Sequence, residues 1–469
     1  MRALRRCTRL FSSQRVTDVS SRRQPSPIRA LMPLAAQPGM ISLGSGSPAP
    51  ASFPVTNISV TLRDGSTVAL GEAATAVAMQ YSPTEGLPSL IRWVDELQRA
   101  EHNWHLGLQG RVCVTTGSQS ALHLALQMLL EDGDTLLADE YCYPGTLETV
   151  RPIGVRVQGV GGDDDGMDPN ALEAALERVS SSSSSSTRRP RVLYTIPTGH
   201  NPTGATMPNE RRRRVYELCR EHDLLILEDD PYWFLGLEEG AADESSAESF
   251  LAIDARHGDG RVLRFDSLSK VLSSGLRVGW VRSARFHSPL APRPSPLAPR
   301  PSPLAPHSPS PSPSQVSGPA ALVERIELHQ QVAALHSSGL SQAVVAAVLE
   351  NWGPEGWVAH CSATRALYRQ RRDWMQASAE KHLHGLAHWN KPTHGMFLWL
   401  DLSPSGCTDS HALVKQRAVE AKVLLIPGSS FSAANPAAPS TFVRAAFSLA
   451  SEEAMDTGLE RLGELLRST

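Results

Sequence analysis

Short apolar runs alternate with helical patterns through the middle of this chain. Six runs of four or five mostly apolar residues are separated by segments, such as 121–130 and 209–222, in which apolar positions recur every three to four residues. This alternation predicts an α/β domain whose mostly parallel sheet is covered by helices on both faces. The predicted strands are 112–115, 135–138, 192–196, 224–227, 262–265 and 278–281.

The pattern changes beyond residue 340. Long helical patterns dominate there, with apolar strand-like runs only at 396–401 and 423–427. We therefore predict a large domain over 71–340 and a smaller α+β domain over 341–469, preceded by an arm over 25–70.

Two low-complexity segments interrupt the alternation. The serine run at 180–186 is predicted to be a surface loop between a helix and a strand. The segment 283–317 contains a tandem seven-residue repeat, at 288–294 and 295–301, whose frequent prolines forbid a helix or a central strand. We predict a disordered insert there. It is either an expanded repeat or a ligand for a proline-reading domain.

The N-terminus has a composition of its own. Residues 1–23 contain seven arginines and several serines but one acid, Asp18, and four of the arginines fall on one helical face. This composition predicts a mitochondrial transit peptide over 1–24. A solvated basic tail is the alternative.

Composition excludes several classes of function. The chain has 469 residues, 41% of them hydrophobic, and a formal charge of −3, which provides no footprint for nucleic acid. No apolar run approaches the roughly 20 residues of a membrane span. The six cysteines lack the spacing of a zinc site or a disulfide framework, so we expect reduced thiols, no metal and a soluble protein.

Polar residues follow four of the predicted strands where each one ends. Ligands of open parallel sheets bind at the carboxyl ends of the strands, so these residues are expected to meet. The segment 116–120 offers backbone N–H groups for a phosphate, and 197–204 exposes an asparagine amide in a turn. The segment 228–232 carries acids that need a cationic partner if buried, and 266–277 sets a lysine among serines, with an arginine seven residues further on.

Pyridoxal 5'-phosphate needs this combination. A lysine forms a Schiff base with its aldehyde, an acid keeps its pyridine nitrogen protonated, and clustered donors hold its phosphate. The convergence of lysine, acid and phosphate donors therefore predicts this cofactor.

From about Pro25 to the C-terminus, apart from the two inserts, the chain resembles the fold-type I, aspartate-aminotransferase-like family and, within it, the kynurenine/α-aminoadipate aminotransferases. The resemblance implies a large domain with a mostly parallel sheet flanked by helices, a smaller α+β C-terminal domain, and an arm that covers the substrate. It rests on the strings PSPIR (25–29), MISL (40–43), QYSP (80–83), DDPY (229–232), SSGLR (273–277), GMFLW (395–399) and RAAFS (444–448).

The resemblance also implies a role for each matching residue. Lys270 is the implied catalytic residue, which bonds the cofactor and moves the substrate Cα proton, and Asp229 faces the pyridine nitrogen. The other implied cofactor-binding residues are Ser118, Gln119, Tyr143, Asn201, Tyr232, Ser267, Ser269, Arg277 and, from the second subunit of a homodimer, Tyr81. The implied substrate-binding residues are Arg444, which clamps the α-carboxylate, and Arg29, Gly46, Tyr81, Tyr143 and Asn201.

The implied activity is a ping-pong transamination in the mitochondrial matrix. L-2-Aminoadipate, L-kynurenine and a broad range of other L-amino acids would donate an amino group to 2-oxoglutarate, giving 2-oxoadipate or kynurenic acid and glutamate. An aminotransferase with another donor preference, a cysteine-conjugate β-lyase of the same fold and a cofactor-binding pseudoenzyme remain open.

A few residues depart from the family pattern. Thr198 and His200 stand where asparagines are usual, and Thr393 and His394 replace small residues. We expect His394 to crowd or polarise the pocket. The arginine run at 211–214 is expected to form a solvated helix face.

Overall fold

The fold is described from a computed structural model of the chain. The description covers residues 16–30, 34, 37–41, 43, 44, 46–102, 110–181, 188–238, 247–283 and 319–468. The serine run and the proline-rich insert fall almost entirely outside these residues, as does the first part of the predicted transit peptide, so those predictions stay as they are.

A seven-stranded sheet forms the centre of the large lobe. Its strand order is β3-β11-β10-β9-β8-β4-β5, and every neighbouring pair is parallel except the two that involve β11. The mostly parallel sheet is therefore confirmed. Its strands are β3 (Arg111–Thr116), β4 (Thr135–Asp139), β5 (Arg156–Val160), β8 (Val192–Thr195), β9 (Leu225–Asp229), β10 (Val262–Ser267) and β11 (Val278–Ser283).

Two short antiparallel hairpins lie outside this sheet. They are β1 (Ser59–Thr61) with β2 (Thr67–Ala69), and β6 (Gly162–Asp163) with β7 (Gly166–Met167).

Buried strands and amphipathic helices explain the layered structure. The strands β4, β8, β9 and β10 are buried along their whole length, because helices cover both faces of the sheet. The helices are α1 (Asp18–Ser21), α2 (Pro27–Ala30), α3 (Gly71–Met79), α4 (Pro88–Glu101), α5 (Gly117–Leu129), α6 (Pro144–Val150), α7 (Pro169–Ser181), α8 (Asn209–Glu221), α9 (Phe250–His257), α10 (Pro319–Ala333), α11 (Gly339–Leu383), α12 (Ser410–Ala412) and α13 (Glu452–Arg467).

The small lobe has an antiparallel sheet and one long helical run. Its strand order is β12-β13-β15-β14. The run α11 is interrupted at Gly353, which has a non-helical backbone and is followed by Pro354. The strands are β12 (His388–Trp389), β13 (Phe397–Asp401), β14 (Ile426–Pro427) and β15 (Phe442–Ala446).

One apolar core joins the two lobes. Buried side chains of α5 and β8, such as Leu122 and Tyr194, belong to the same cluster as Leu398 of β13 and Leu462 of α13. A second cluster fills the other face of the large sheet, where α7, α8 and α9 pack.

The structure corrects some expectations at the element level. The strand β5 was not predicted, and of the predicted strand 423–427 only Ile426–Pro427 is extended in the sheet. The arginine run is not uniformly solvated, since Arg212 is fully buried. Arg212 lies on the face of α8 that packs against the sheet, because successive residues of a helix point in different directions around its axis.

The end of the predicted transit peptide packs against the large lobe. Thr17 N–H donates to the carbonyl of Met128 at 2.8 Å, and the buried Ser20 hydroxyl lies 2.9 Å from His329 Nε2. Residues 16–24 are therefore part of the folded structure described here.

Among the described residues, no helix combines the length and apolar character needed to cross a membrane. The five cysteines in this part of the chain are buried and unpaired with one another.

Candidate active site

Most of the predicted cofactor-binding residues lie at one edge of the large sheet. The carboxyl ends of the strands β3, β4, β8, β9 and β10 meet there because these strands are parallel. Strand β11 runs in the opposite direction, so its first residue, Val278, lies at the same edge and brings Arg277 with it.

Lys270 lies in the turn directly after β10 and is half-buried. Burial lowers the pKa of its amine, and the positive charges of Arg277 and Arg444 lower that pKa further. A lysine that is neutral more often than usual at pH 7 is suited to act as a nucleophile or a base.

Hydroxyl groups and a guanidinium meet on one side of this lysine. The Ser267 hydroxyl donates to Ser269 Oγ at 2.9 Å, and Ser269 Oγ also accepts from Arg277 Nη1 at 3.0 Å. Arg277 has a left-handed backbone, with φ 54°. This conformation costs about 1–2 kcal/mol in a non-glycine residue and turns the chain into β11.

Two glycines allow the start of α5 to approach this cluster. A Cβ on Gly117 would collide with the Arg277 guanidinium, and a Cβ on Gly279 would lie 2.6 Å from the backbone nitrogen of Ser118. The helix N-terminus, with its unpaired N–H groups, can therefore lie against Arg277 and the serines only while both positions lack side chains.

Asp229 ends β9 as a buried acid. Its Oδ2 accepts from the Tyr194 hydroxyl at 2.8 Å, whereas its buried Oδ1 has no hydrogen-bond partner among the described residues. Burial raises the pKa of Asp229 to about 7, although the hydrogen bond from Tyr194 lowers it.

A buried charge cluster supports this end of β9 and β10. Arg264 is fully buried and lies 2.9 Å from Glu228, 3.0 Å from Asp230 and 3.0 Å from Asp266. Paired acids of this kind hold the strand ends in one arrangement, since separating them would leave charges buried without a counterion.

Asn201 and Arg444 connect the two lobes across the site. Arg444 Nη1 donates to Asn201 Oδ1 at 2.7 Å, and its guanidinium lies over the rings of Phe397 and Phe431, at 4.4 and 5.0 Å. Its buried Nε has no hydrogen-bond partner among the described residues. Burial lowers the pKa of Arg444, while Tyr232 and Tyr143 raise it.

Tyr143 and Tyr232 complete the group. Burial raises the pKa of both hydroxyls, Asp229 raises both further, and the positive charge of Arg444 lowers both. The two tyrosines therefore lie within electrostatic reach of the buried acid and the arginine. Tyr232 also packs edge-on against Phe397 at 5.7 Å.

Gln119 lies beside Tyr143 at the start of α5. A Cβ on Gly145 would lie 2.6 Å from the Tyr143 ring and 2.8 Å from Gln119 Oε1, so this glycine lets the two side chains come together. Gln119 Oε1 is buried, and no described residue donates a hydrogen bond to it.

Three predicted residues do not join this group within the single chain. Tyr81 is 50% exposed and packs edge-on against His336. Arg29 donates to the carbonyl of Ser82 at 2.7 Å, and Gly46 is exposed, with nothing within 4 Å of a Cβ built there.

The residues that depart from the family pattern lie around the site. The Thr198 hydroxyl donates to Asp230 Oδ2 at 3.1 Å and accepts from Arg212 at 3.0 Å. His394 is half-buried, its Nδ1 lies 3.3 Å from the Thr206 hydroxyl, and desolvation lowers its pKa to about 4. His394 is thus neutral at pH 7.

Sequence reasoning missed Tyr194, Arg212 and Arg264. Tyr194 and Arg264 each occupy a run that was counted as apolar core, and Arg212 stands in a run counted as solvated. A polar tip or a charge inside a predicted buried strand was the available signal, because such groups are buried only with partners.

Comparison with known proteins gives a consistent result. The family described as "Aminotransferase class I and II" matches residues 38–462. The mitochondrial kynurenine/alpha-aminoadipate aminotransferase of Mus musculus is 36% identical over 467 residues, covering 97% of this chain and 99% of that protein.

Solved structures have the same fold. Aminotransferase Aro8 from Candida albicans superposes with a TM-score of 0.78 at 26% identity and covers 98% of both chains. The kynurenine aminotransferase from Pyrococcus horikoshii, solved in complex with PMP, with KYN as substrates and KYA as products, gives a TM-score of 0.69 at 25% identity over 99% of both chains. The fold is therefore fold-type I, as predicted, and the chain belongs to the class I and II aminotransferases, which makes it a transaminase that depends on pyridoxal phosphate.

Proposed function

We propose that this enzyme transfers the amino groups of L-kynurenine and L-2-aminoadipate to 2-oxoglutarate, giving kynurenic acid or 2-oxoadipate and glutamate. The observation that carries the reaction is that Lys270, whose pKa is lowered, shares its surroundings with Arg444. An amine that can move a proton thus lies near a cation that can bind a carboxylate. The donors are inferred from the relative in mouse, whose likeness covers almost the whole chain.

The described residues fit pyridoxal phosphate. Asp229 keeps one buried oxygen without a partner, which suits a protonated ring nitrogen. The space between Arg277, the serines and the start of α5 closes if Gly117 or Gly279 gains a Cβ, which suits a phosphate held by backbone and side-chain donors. The residues that would hold this phosphate are Ser118, Gln119, Ser267, Ser269 and Arg277.

When bound, the cofactor supplies an aldehyde carbon for an amino group and a ring that accepts the electron pair left at the substrate Cα. Asp229 would hold the proton of the ring nitrogen, and the Tyr194 hydroxyl fixes the orientation of its carboxylate. Asn201 and Tyr232 would donate to the phenolate oxygen, and Tyr143 would lie against the ring.

Lys270 would move the proton. Its lowered pKa leaves more of the amine neutral near pH 7, so Nζ can accept the Cα proton of the donor and release it again. The base is regenerated in each half of the cycle, because the acceptor runs the same steps in reverse.

Arg444 would orient the substrate. Its guanidinium is held by Asn201 Oδ1 and by two aromatic rings, which leaves Nε without a partner among the described residues. A guanidinium fixed in this way can bind the α-carboxylate through two parallel hydrogen bonds.

The remaining residues would act in a homodimer. Tyr81 would contribute to the phosphate site of the second subunit, while Arg29 and Gly46 of the arm over 25–70 would cover the substrate. Exposed apolar side chains support this assignment, since Tyr81, Val77, Leu335 and Leu340 are 42–55% exposed near the junction of α3 with α11. The large and small domains, 71–340 and 341–469, would then place the active site between subunits as well as between lobes.

We also propose import into the mitochondrial matrix, supported by the arginine-rich N-terminus and by the mitochondrial location in the names of the mammalian relatives. The proposed transit peptide is residues 1–24.

The test uses purified enzyme loaded with cofactor. We expect the visible absorbance of the bound cofactor to change on adding L-kynurenine or L-2-aminoadipate and to return on adding 2-oxoglutarate, with glutamate formed in proportion. Lys270→Ala should keep the cofactor but show no turnover. Release of pyruvate from a cysteine conjugate without glutamate would favour the β-lyase, and a spectrum indifferent to both donors would contradict the proposed substrates.

A further inference from the structure

A second concave site lies between the lobes, next to the active site. This cavity has a volume of about 320 Å³, within the range of about 300–1,000 Å³ typical of small-molecule sites. Residues after β4 and from the hairpin β6–β7 form one wall, and residues of β12, β13 and β15 form the other. None of the described residues assigned above to cofactor or substrate lines it.

The cavity is acidic. The carboxylates of Asp139, Glu140, Asp164 and Asp401 line it, together with Asp163, which is paired with Arg211. Two histidines are the basic side chains among its described lining residues. A concave surface with this excess of carboxylates attracts cations.

Aromatic rings form a fixed wall on the small-lobe side. Trp399 stacks on Phe442, with ring centroids 5.2 Å apart and planes 9° apart, and Tyr141 packs edge-on against Trp399 at 5.0 Å. Trp389, also in the lining, is held by a hydrogen bond from its indole N–H to Gln376 Oε1 at 2.9 Å. Trp399 is itself buried by Phe442, Tyr141 and Phe431. The half-buried rings of Tyr141, Trp389 and Phe442 are therefore the aromatic surface that a ligand can reach. Aromatic faces bind organic ammonium groups through their negative quadrupole.

Asp139 provides an independent sign of a ligand. It is 8% exposed at the end of β4, and among the described residues no donor makes a hydrogen bond to its buried Oδ2. The described His200 Nε2 lies 3.4 Å from this oxygen. A buried carboxylate oxygen whose partner is one histidine nitrogen at 3.4 Å is only partly compensated, and a cation in the cavity would offset the remaining cost.

We propose that this cavity binds an organic cation, a substituted ammonium group carried on an aromatic or aliphatic body. The aromatic wall favours such a ligand over a metal ion, and no group of three or more potential metal ligands occurs in the described ranges. The occupant contacts both lobes. It lies beside His200, which precedes Asn201, and beside Trp399, which pairs with Arg444 across β13 and β15.

The test measures binding of benzyltrimethylammonium to the cofactor-loaded enzyme by isothermal titration calorimetry. This probe has no N–H and no carboxylate, so it neither bonds the cofactor aldehyde nor needs Arg444. We expect saturable binding. Asp139→Asn, which keeps the shape of the side chain and removes its charge, should raise Kd by about fivefold or more.

Two further variants keep the test decisive. Glu140→Gln changes an exposed residue of the cavity and should raise Kd in the same direction even if Asp139→Asn does not fold. Asp165→Asn makes the same charge change in the hairpin turn outside the lining and should leave Kd within about twofold. The absence of saturable binding to the wild type, or equal Kd values in the cavity variants and the control, would overturn the proposal. Binding is measured without turnover, so the result does not depend on the proposed donors.

Discussion

At the scale of single residues, two adjacent acids have different surroundings. Asp229 and Asp230 are both buried, and burial raises the pKa of each to about 7. Each keeps one buried oxygen without a hydrogen-bond partner among the described residues. Asp230 is paired with the Arg264 cation and accepts from Thr198, whereas Asp229 accepts from the neutral Tyr194 hydroxyl. Asp230 thus stabilises the strand ends through its ion pair, and Asp229, whose hydrogen-bond partner is neutral, is the acid available to a cationic ligand group.

The raised pKa of Asp229 predicts a pH dependence in the cofactor-free protein. Below the ordinary pKa of 3.8, Asp229 is protonated in both the folded and the unfolded protein, and it does not reduce the free energy of unfolding. As the pH rises from 3.8 through about 7, the unfolded protein loses this proton first, and the free energy of unfolding falls. Asp229→Asn should therefore gain stability relative to wild type between pH 5 and pH 8, by about 2 kcal/mol. Denaturant unfolding of both apoproteins at pH 5 and at pH 8 measures this difference in the free energy of unfolding. Other buried acids affect both proteins alike, and a difference independent of pH would contradict the assigned pKa.

Arg444 yields a prediction about substrate binding. Arg444→Ala should lower kcat/KM by a factor that corresponds to a loss of about 2 to 5 kcal/mol in transition-state stabilisation. The reason is that the substrate carboxylate would be left without its partner in a buried site. Arg444→Lys should recover only part of this loss. A lysine keeps the positive charge, but it cannot form two parallel hydrogen bonds with the carboxylate. Arg461, which donates to two backbone carbonyls in the small lobe, provides the control. Arg461→Ala should leave kcat/KM near wild type, and an equal loss in both variants would indicate a general effect on folding.

At the scale of elements, two turns from different lobes make contact through glycines. Gly199, in the turn after β8, has a φ of 57°, and a Cβ there would lie 2.9 Å from the backbone nitrogen of Gly395. Gly395 leads into β13. The contact therefore fixes the turn that carries Asn201 against the lobe that carries Arg444.

Gly199→Ala tests this contact. It should lower the free energy of unfolding by about 1–2 kcal/mol for the left-handed backbone and by a further 1–3 kcal/mol for the collision. Gly385→Ala is the matched control, because its φ is 74° but nothing lies within 4 Å of its Cβ. Denaturant unfolding of the two variants isolates the collision. Equal losses would mean that the two turns are not held in this contact.

At the scale of the whole molecule, the arm leaves apolar side chains uncovered. Ile41 and Leu43 are 83% and 94% exposed, and Tyr81 is half exposed. In the proposed dimer the second subunit covers this surface and receives Tyr81.

Mixed dimers provide the corresponding prediction. Tyr81→Ala and Lys270→Ala should each be poorly active alone, whereas co-expressed subunits should recover about a quarter of the wild-type sites, since half of the dimers are mixed and each has one intact site. The recovery is measured as transaminase activity per molecule of bound cofactor. No recovery in dimers shown to be mixed would place Tyr81 and Lys270 in the same chain's site.

Local patterns gave much of this structure. The six strands predicted for the large domain are all present. They were predictable because the signal for a buried strand, an apolar run bounded by turn residues, lies within a few neighbouring residues. The strand β5 was missed because its burial is partial and its composition mixed. The transit peptide over 1–24 stays a prediction, and the contacts of Thr17 and Ser20 with the large lobe are ones that sequence composition does not reveal.

The sequence by itself determined the class of fold, the family and the residues that carry its motifs, because these depend on the order of residue types along the chain. Tertiary structure alone decided that Tyr194 supports Asp229, that Arg212 is buried within an arginine run, and that Gly199 meets Gly395. It alone formed the acidic aromatic cavity between the lobes. These features join residues from tens to hundreds of positions apart, and only the packing of strands and lobes brings such residues within contact distance.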